Sequence, residues 1–257
     1  MKQIYCLALF ALLFSCKENK ETNSENLNKS AQKDTLSVKE INTTASKENF
    51  ESDLRPSEKL KLGQPYSDTV EFVEFDNNGD FPLFSFKKNK KLVGLVSNSE
   101  DAPKFKRGDV LELKWKMDTL YVAGESEELN FSEWMISAKK VKDGNVSLFL
   151  KKYKKPIKYS SAKEDYTDGF KDYLYTQVEY YLANSKQELV KTAIKNPDAD
   201  LSYSIEEKEK EGHIFYVLGI SNDFEHHTNI IQWIYIDSNN NQLYEYDLPN
   251  DKLVEFN

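Results

Sequence analysis

Val110-Leu111-Glu112-Leu113-Lys114-Trp115-Lys116-Met117 is the stretch on which the fold turns. Leu111, Leu113, Trp115 and Met117 alternate with Glu112, Lys114 and Lys116. That is the period-two pattern of a strand with one face in a core and the other in water. Lys106-Arg107-Gly108-Asp109 precedes it as a turn, and Lys142-Asp143-Gly144-Asn145 marks another further on. Working outward, residues 70–75 and 81–86 are aromatic and β-branched. They flank the turn cluster Asp76-Asn77-Asn78-Gly79-Asp80, so they read as a hairpin. Residues 91–96, 120–123, 134–141 and 146–153 complete a set of short strands. Residues 59–155 are therefore expected to form a small antiparallel β barrel or sandwich.

Residues 156–257 change character. Over 164–184, Phe170, Leu174, Val178, Tyr181 and Leu182 share one helical face, with Thr167 or Asp168 at its start. Ser185-Lys186-Gln187-Glu188 has the spacing of a capping box and predicts a second helix to about Lys195, stopped by Asn196-Pro197-Asp198. Four strands follow, over 202–208, 213–221, 229–237 and 242–247. They pair across Glu211-Gly212 and across Ser238-Asn239-Asn240-Asn241. The fold class is α+β: a small antiparallel barrel or sandwich module, then a helix-plus-antiparallel-meander module. The first module resembles OB- and SH3-type barrels, and the second is similar in topology to cystatin-like domains. Such likeness implies architecture and carries no activity.

The amino-terminal end has a different logic. Met1-Lys2 gives a positive start, and residues 4–14 are almost wholly apolar. The run is too short to span a bilayer and has the length of a signal segment. Leu13, Ser15 and Cys16 match the first, third and fourth places of a lipobox, while Phe14 departs from the small residue usual at the second. The segment resembles that of bacterial lipoproteins. The resemblance implies a signal peptide over 1–15, a diacylglyceryl group on Cys16 and a place in the cell envelope, at the outer membrane. Lys17-Glu18 and Glu21 resemble the short tag of Bacteroidota lipoproteins, so both the periplasmic face and the cell surface stay open. Residues 16–58 are expected to form a lipidated, polar tether. They are rich in Asn, Lys, Glu, Ser and Thr, with too little apolar surface to offset the entropy of ordering.

Cys6 falls in the removed signal and Cys16 takes lipid, so no cysteine is left for a disulfide. Stability must then come from hydrophobic cores. The net charge of −8 argues against nucleic acid as a partner, because phosphate binding needs clustered positive charge.

His226 and His227, with His213, Asp223 and Glu225 nearby, do not make a zinc site, because adjacent histidines on extended chain point to opposite faces. Asp237, Asn239 and Asn241 have the first ligand spacing of a calcium loop, but Gln242 and Leu248 stand where Gly and Glu are needed, so a turn is the better reading. No Gly-x-Ser-x-Gly elbow and no phosphate-cradling glycine loop exists. No catalytic residue, metal or cofactor is assigned. Two surfaces remain. Lys151, Lys152, Lys154 and Lys155 belong to a lysine-rich run that also holds Lys139, Lys140, Lys142 and Lys158. It would meet an anionic group, or else protect a strand edge. Trp233 and Tyr235 alternate with Ile234 and Ile236, so one set must face out or meet a second layer.

The expected function is a non-enzymatic, lipid-anchored envelope protein that binds a protein or glycan. The alternatives are an inhibitor or immunity-type lipoprotein that captures an exported protein, and an envelope hydrolase with carboxylates brought together by the fold.

Overall fold

The structure is a computed structural model that describes residues 49–99, 104–121, 130–161, 163 and 166–256. The signal segment, Cys16 and the tether up to residue 48 lie outside the described residues. So does the end of the strand expected at 120–123.

Two cores are present: a closed five-stranded barrel, and a second, mixed sheet with helices on one face. The barrel consists of β1 (Pro65–Asp76), β2 (Leu83–Lys88), β3 (Lys91–Val96), β4 (Val110–Leu120) and β5 (Asn130–Lys142), in the order β1-β2-β3-β5-β4. The alternation of β4 maps directly onto burial. Leu111, Leu113 and Trp115 are fully buried and Met117 nearly so. Trp115 lies opposite Tyr66 on β1 and Met135 on β5, and its ring tilts against Tyr66. The barrel is not wholly antiparallel. It closes through one parallel bridge, Val96 to Trp134.

The tether boundary at 58 is corrected by the structure. The backbones of Phe50 and Leu60 exchange hydrogen bonds, Phe50 packs on Phe131, and Leu54 is buried in the barrel core. Two apolar residues in a polar stretch are enough, because a buried leucine contributes roughly 1.5–3 kcal/mol.

The strand expected at 146–153 is a helix, α1 (Asn145–Lys152). Val146, Phe149 and Tyr153 fall on one helical face and are buried. Phe149 and Tyr153 join the second core rather than the barrel. The module boundary therefore lies near Gly144, ahead of residue 155. Gly144 is required there: a Cβ would come within 2.3 Å of the Gly108 carbonyl.

After α1 come β6 (Lys158–Ser161), α2 (Asp168–Asn184), α3 (Glu188–Lys195), β7 (Asp200–Lys210), β8 (His213–Asp223), β9 (Thr228–Asp237), β10 (Leu243–Asp247) and β11 (Lys252–Glu255). The sheet runs β11-β10-β9-β8-β7-β6. It is mixed rather than a pure meander, because β6 runs parallel to β7. Parallel neighbours need a crossover, and α2 with α3 provides it. Thr167 caps α2 by accepting from the Phe170 amide. The expected capping box does not form. Ser185 ends α2, and Gln187 stands at the start of α3 without a side-chain cap. Leu174, Val178 and Tyr181 of α2 pack on Leu201, Tyr203, Leu218, Ile220, Ile234 and Ile236.

A polar joint links the modules. Asp109, fully buried, accepts from the amides of Gly144 and Lys106 and pairs with Lys140. Lys106 pairs with the buried Glu179 of α2 at 2.9 Å. Arg107 lies 3.8 Å over the Tyr180 ring.

Candidate functional site

Helices cover only one face of the second sheet. Strand register fixes what the other face presents. Ser204 lies opposite Gly219, Glu206 opposite Val217, and Lys208 opposite Phe215. Gly219 then lies opposite Trp233 and Val217 opposite Tyr235. Tyr235 lies opposite Tyr244. The result is a separate apolar cluster. Phe215, Val217 and Tyr235 form a buried floor, and Trp233, Tyr244, Tyr246 and Leu253 are half-buried around it. Among the described residues, no helix and no part of the barrel belongs to this cluster.

The geometry depends on a missing side chain. The Trp233 ring lies where a Cβ on Gly219 would be, 2.7 Å from that position. The Trp233 ring thereby reaches over Gly219, and the Ser204 hydroxyl is enclosed on the same face with no hydrogen-bond partner among the described residues. Lys208 stands 4.8 Å from the Trp233 ring and Lys210 stands 5.5 Å from the Tyr246 ring. Lys210 also pairs with Asp251, which accepts from the Tyr246 hydroxyl. The face therefore offers flat aromatic rings edged by ammonium and hydroxyl groups. Such a surface suits stacking against a sugar ring or burial under a protein partner.

The two residue sets singled out in the sequence land far apart in character. Trp233 and Tyr235 lie together on this face, with Tyr235 in the floor and Trp233 in the rim. Several of the lysines meet carboxylates or carbonyls. Lys155 donates to the carbonyls of Pro197 and Ala199 and pairs with Asp200, which also pairs with Lys158. Lys151 and Lys140 pair with Asp143. Lys152 and Lys154 face solvent. Asp109 and Asp200 are distant in sequence from most of these lysines, and only the fold brings them in.

The histidine and calcium-loop motifs are turns. His227 stacks on Phe224 at 4.7 Å and its carbonyl accepts from the Phe224 amide. Asp237 accepts from the Asn239 amide, and Asn241 takes a positive φ of 59°. Among the described residues, no group of three or more His, Cys, Asp or Glu is placed to hold a metal ion. No helix among them is long and apolar enough to cross a membrane.

The tyrosines of β10 and two lysines of β7, Lys208 beside Trp233 and Lys210 beside Tyr246, lie outside the pair chosen from the sequence as a surface. The available signal was the alternation of β10, Tyr244-Glu245-Tyr246, in which Glu245 turns to the helix side and accepts from the Tyr181 hydroxyl at 2.6 Å. Burial, followed by that carboxylate, pushes the Tyr181 phenol well above the ordinary tyrosine range. Neither a protein-family model nor a curated protein sequence matches this chain.

Proposed function

We propose that this chain is a non-enzymatic, lipid-anchored binding protein of a bacterial envelope. Cys16 carries the lipid, and the residues that follow it hold the folded part near the outer membrane, on its periplasmic or outer side. The helix-free face of the second sheet takes a protein or glycan. One observation carries the reading: Trp233, Tyr235, Tyr244 and Tyr246 gather on a sheet face to whose apolar cluster, among the described residues, no helix and no part of the barrel contributes. Aromatic residues of this kind supply large contact area at low conformational cost, which is why they are enriched where proteins bind partners.

Two experiments test it. Immobilised wild-type chain and a Trp233→Ser/Tyr246→Ser variant are exposed to envelope extract and to purified envelope glycans. A defined species retained by the first and lost by the second supports the reading; equal retention by both refutes it. Separately, Cys16→Ala should release the chain from the membrane fraction, and normal retention of that variant would remove the anchor.

A further inference from the structure

A second surface lies on the barrel, independent of the aromatic face. β3 pairs fully with β2 on one edge, from Lys91 to Val96. Its other edge meets β5 only at Val96 and Trp134. Among the described residues, the backbone groups of 91–95 on that edge have no other backbone partner. The seam between β3 and β5 therefore opens on one side of the bridge, and segment 50–56 runs along the opening.

The opening is a groove of about 500 Å³. Leu92, Val93 and Gly94 of β3 form one wall; Glu51, Asp53 and Glu133 stand around it. Leu92 is 58% exposed, unusual for a leucine on a strand edge. Gly94 has no side chain to keep another backbone away. Exposed strand edges are normally shielded by charge, proline or a covering loop. Here, among the described residues, segment 50–56 with Pro56 lies beside the edge and is tied to it by the Lys91–Asp53 pair at 2.6 Å between two well-exposed side chains, but the groove between them stays open. Lys59 pairs with Glu51. No cation pairs with Glu133 among the described residues, so the rim keeps one carboxylate in excess.

We infer that this seam binds an extended, basic peptide segment by strand addition to β3. The peptide backbone would bond the open edge of 91–95. Its apolar side chains would meet Leu92 and Val93, and a lysine or arginine would meet Glu133. In this mode main-chain bonds provide affinity and side-chain pockets provide selectivity. A second copy of this chain fits poorly, because pairing β3 with β3 would bring two acidic rims together.

The test uses the full chain and the blocked peptide acetyl-Val-Lys-Val-Lys-Val-Lys-amide, with calorimetry and residue-resolved hydrogen exchange. The expected result is saturable binding that slows exchange of the outward amides within 91–95. Glu133→Lys should weaken that binding by about tenfold or more, the usual scale for removing one paired charge. Gly94→Val should weaken it by blocking backbone approach. The fully N-methylated peptide, and the peptide with glutamate for lysine, should not bind. Trp233→Ser should leave binding unchanged, which separates this site from the aromatic face. No binding, equal binding of the lysine and glutamate peptides, or protection elsewhere than 91–95 would overturn the inference. So would a dimer of the chain itself that Glu133→Lys dissociates.

Discussion

The barrel and the helix-backed sheet solve the same stability problem with opposite chemistry. The barrel fixes its polar interior with carboxylates. Asp68, one-tenth exposed at its side chain, accepts from Lys88, from the Trp115 indole at 2.7 Å and from Arg55 at 3.1 Å. Burial alone would push its carboxyl up, but those three donors together hold it below the ordinary range. Asp109 behaves alike: burial opposes ionisation, and the Gly144 and Lys106 amides more than compensate. The sheet module instead buries phenols. Burial pushes Tyr173 up to about 12 and drives Tyr203 and Tyr181 higher still. The barrel thus leans more on carboxylates that must stay charged, the sheet module more on phenols that must stay neutral.

The largest expected effect attacks the barrel alone. A chain beginning at Lys59 loses Phe50 and Leu54, and should cost the barrel on the order of 3–5 kcal/mol. The Trp115 indole signal in NMR should lose its native position while that of Trp233 keeps it. If both persist, segment 50–58 is not part of the barrel core. Next comes the joint. Asp109→Ala leaves two amides without their acceptor and Lys140 with Asp143 as its one carboxylate, a loss of roughly 3 kcal/mol. Thermal unfolding should separate into two transitions; a single shifted transition would mean that Asp109 does not couple the modules.

Gly219→Val acts only on the sheet. The new side chain must displace Trp233, at about 1–3 kcal/mol, with a red shift of the Trp233 emission and no change at Trp115. The pH limits sharpen the contrast further. For Asp68 and Asp109 the folded pKa is lowered, so their stabilisation is complete above about pH 4 and drains as pH falls through the folded values. For the phenols the folded pKa is raised. Their contribution is complete below about pH 10 and is lost as pH rises toward the folded values. Acid should therefore release the Trp115 signal first, and alkali the Trp233 signal first. The same order at both extremes would break the comparison. The smallest effect is Lys208→Ala, which removes an ammonium from the Trp233 ring at about 0.5–1 kcal/mol, measurable as a small shift in the denaturant midpoint.

How much was legible in the sequence follows the same division. β4 could be read residue by residue, because a barrel strand buries one face and wets the other. β8 was legible as a strand over 213–221, but not which of its faces met the helices, because Val217 to Asn222 are all buried and alternation vanishes in such a strand. α1 was missed because eight residues with Val146, Phe149 and Tyr153 as anchors are too short to show a helical period against a strand-like run of large apolar residues. Leu54 was hidden by averaging over a polar stretch. At the aromatic face, Trp233 and Tyr235 could be picked out by alternation. Their neighbours Tyr246, Lys208 and Lys210 could not, since only the register of β7 to β10 brings them together. The pairing of Lys155 and Lys158 with Asp200 was not legible, because Asp200 arrives from a distant strand.

A binding role for the helix-free sheet face requires that this face be occupied where the protein works. Hydroxyl-radical footprinting of the chain in native envelope membranes, compared with the purified chain, measures this directly at Trp233, Tyr244 and Tyr246. Occupancy of the face predicts that these rings are oxidised more slowly in the envelope, while Tyr121, 77% exposed on the barrel, reacts equally in both. Equal oxidation of the three rings in both preparations would contradict it.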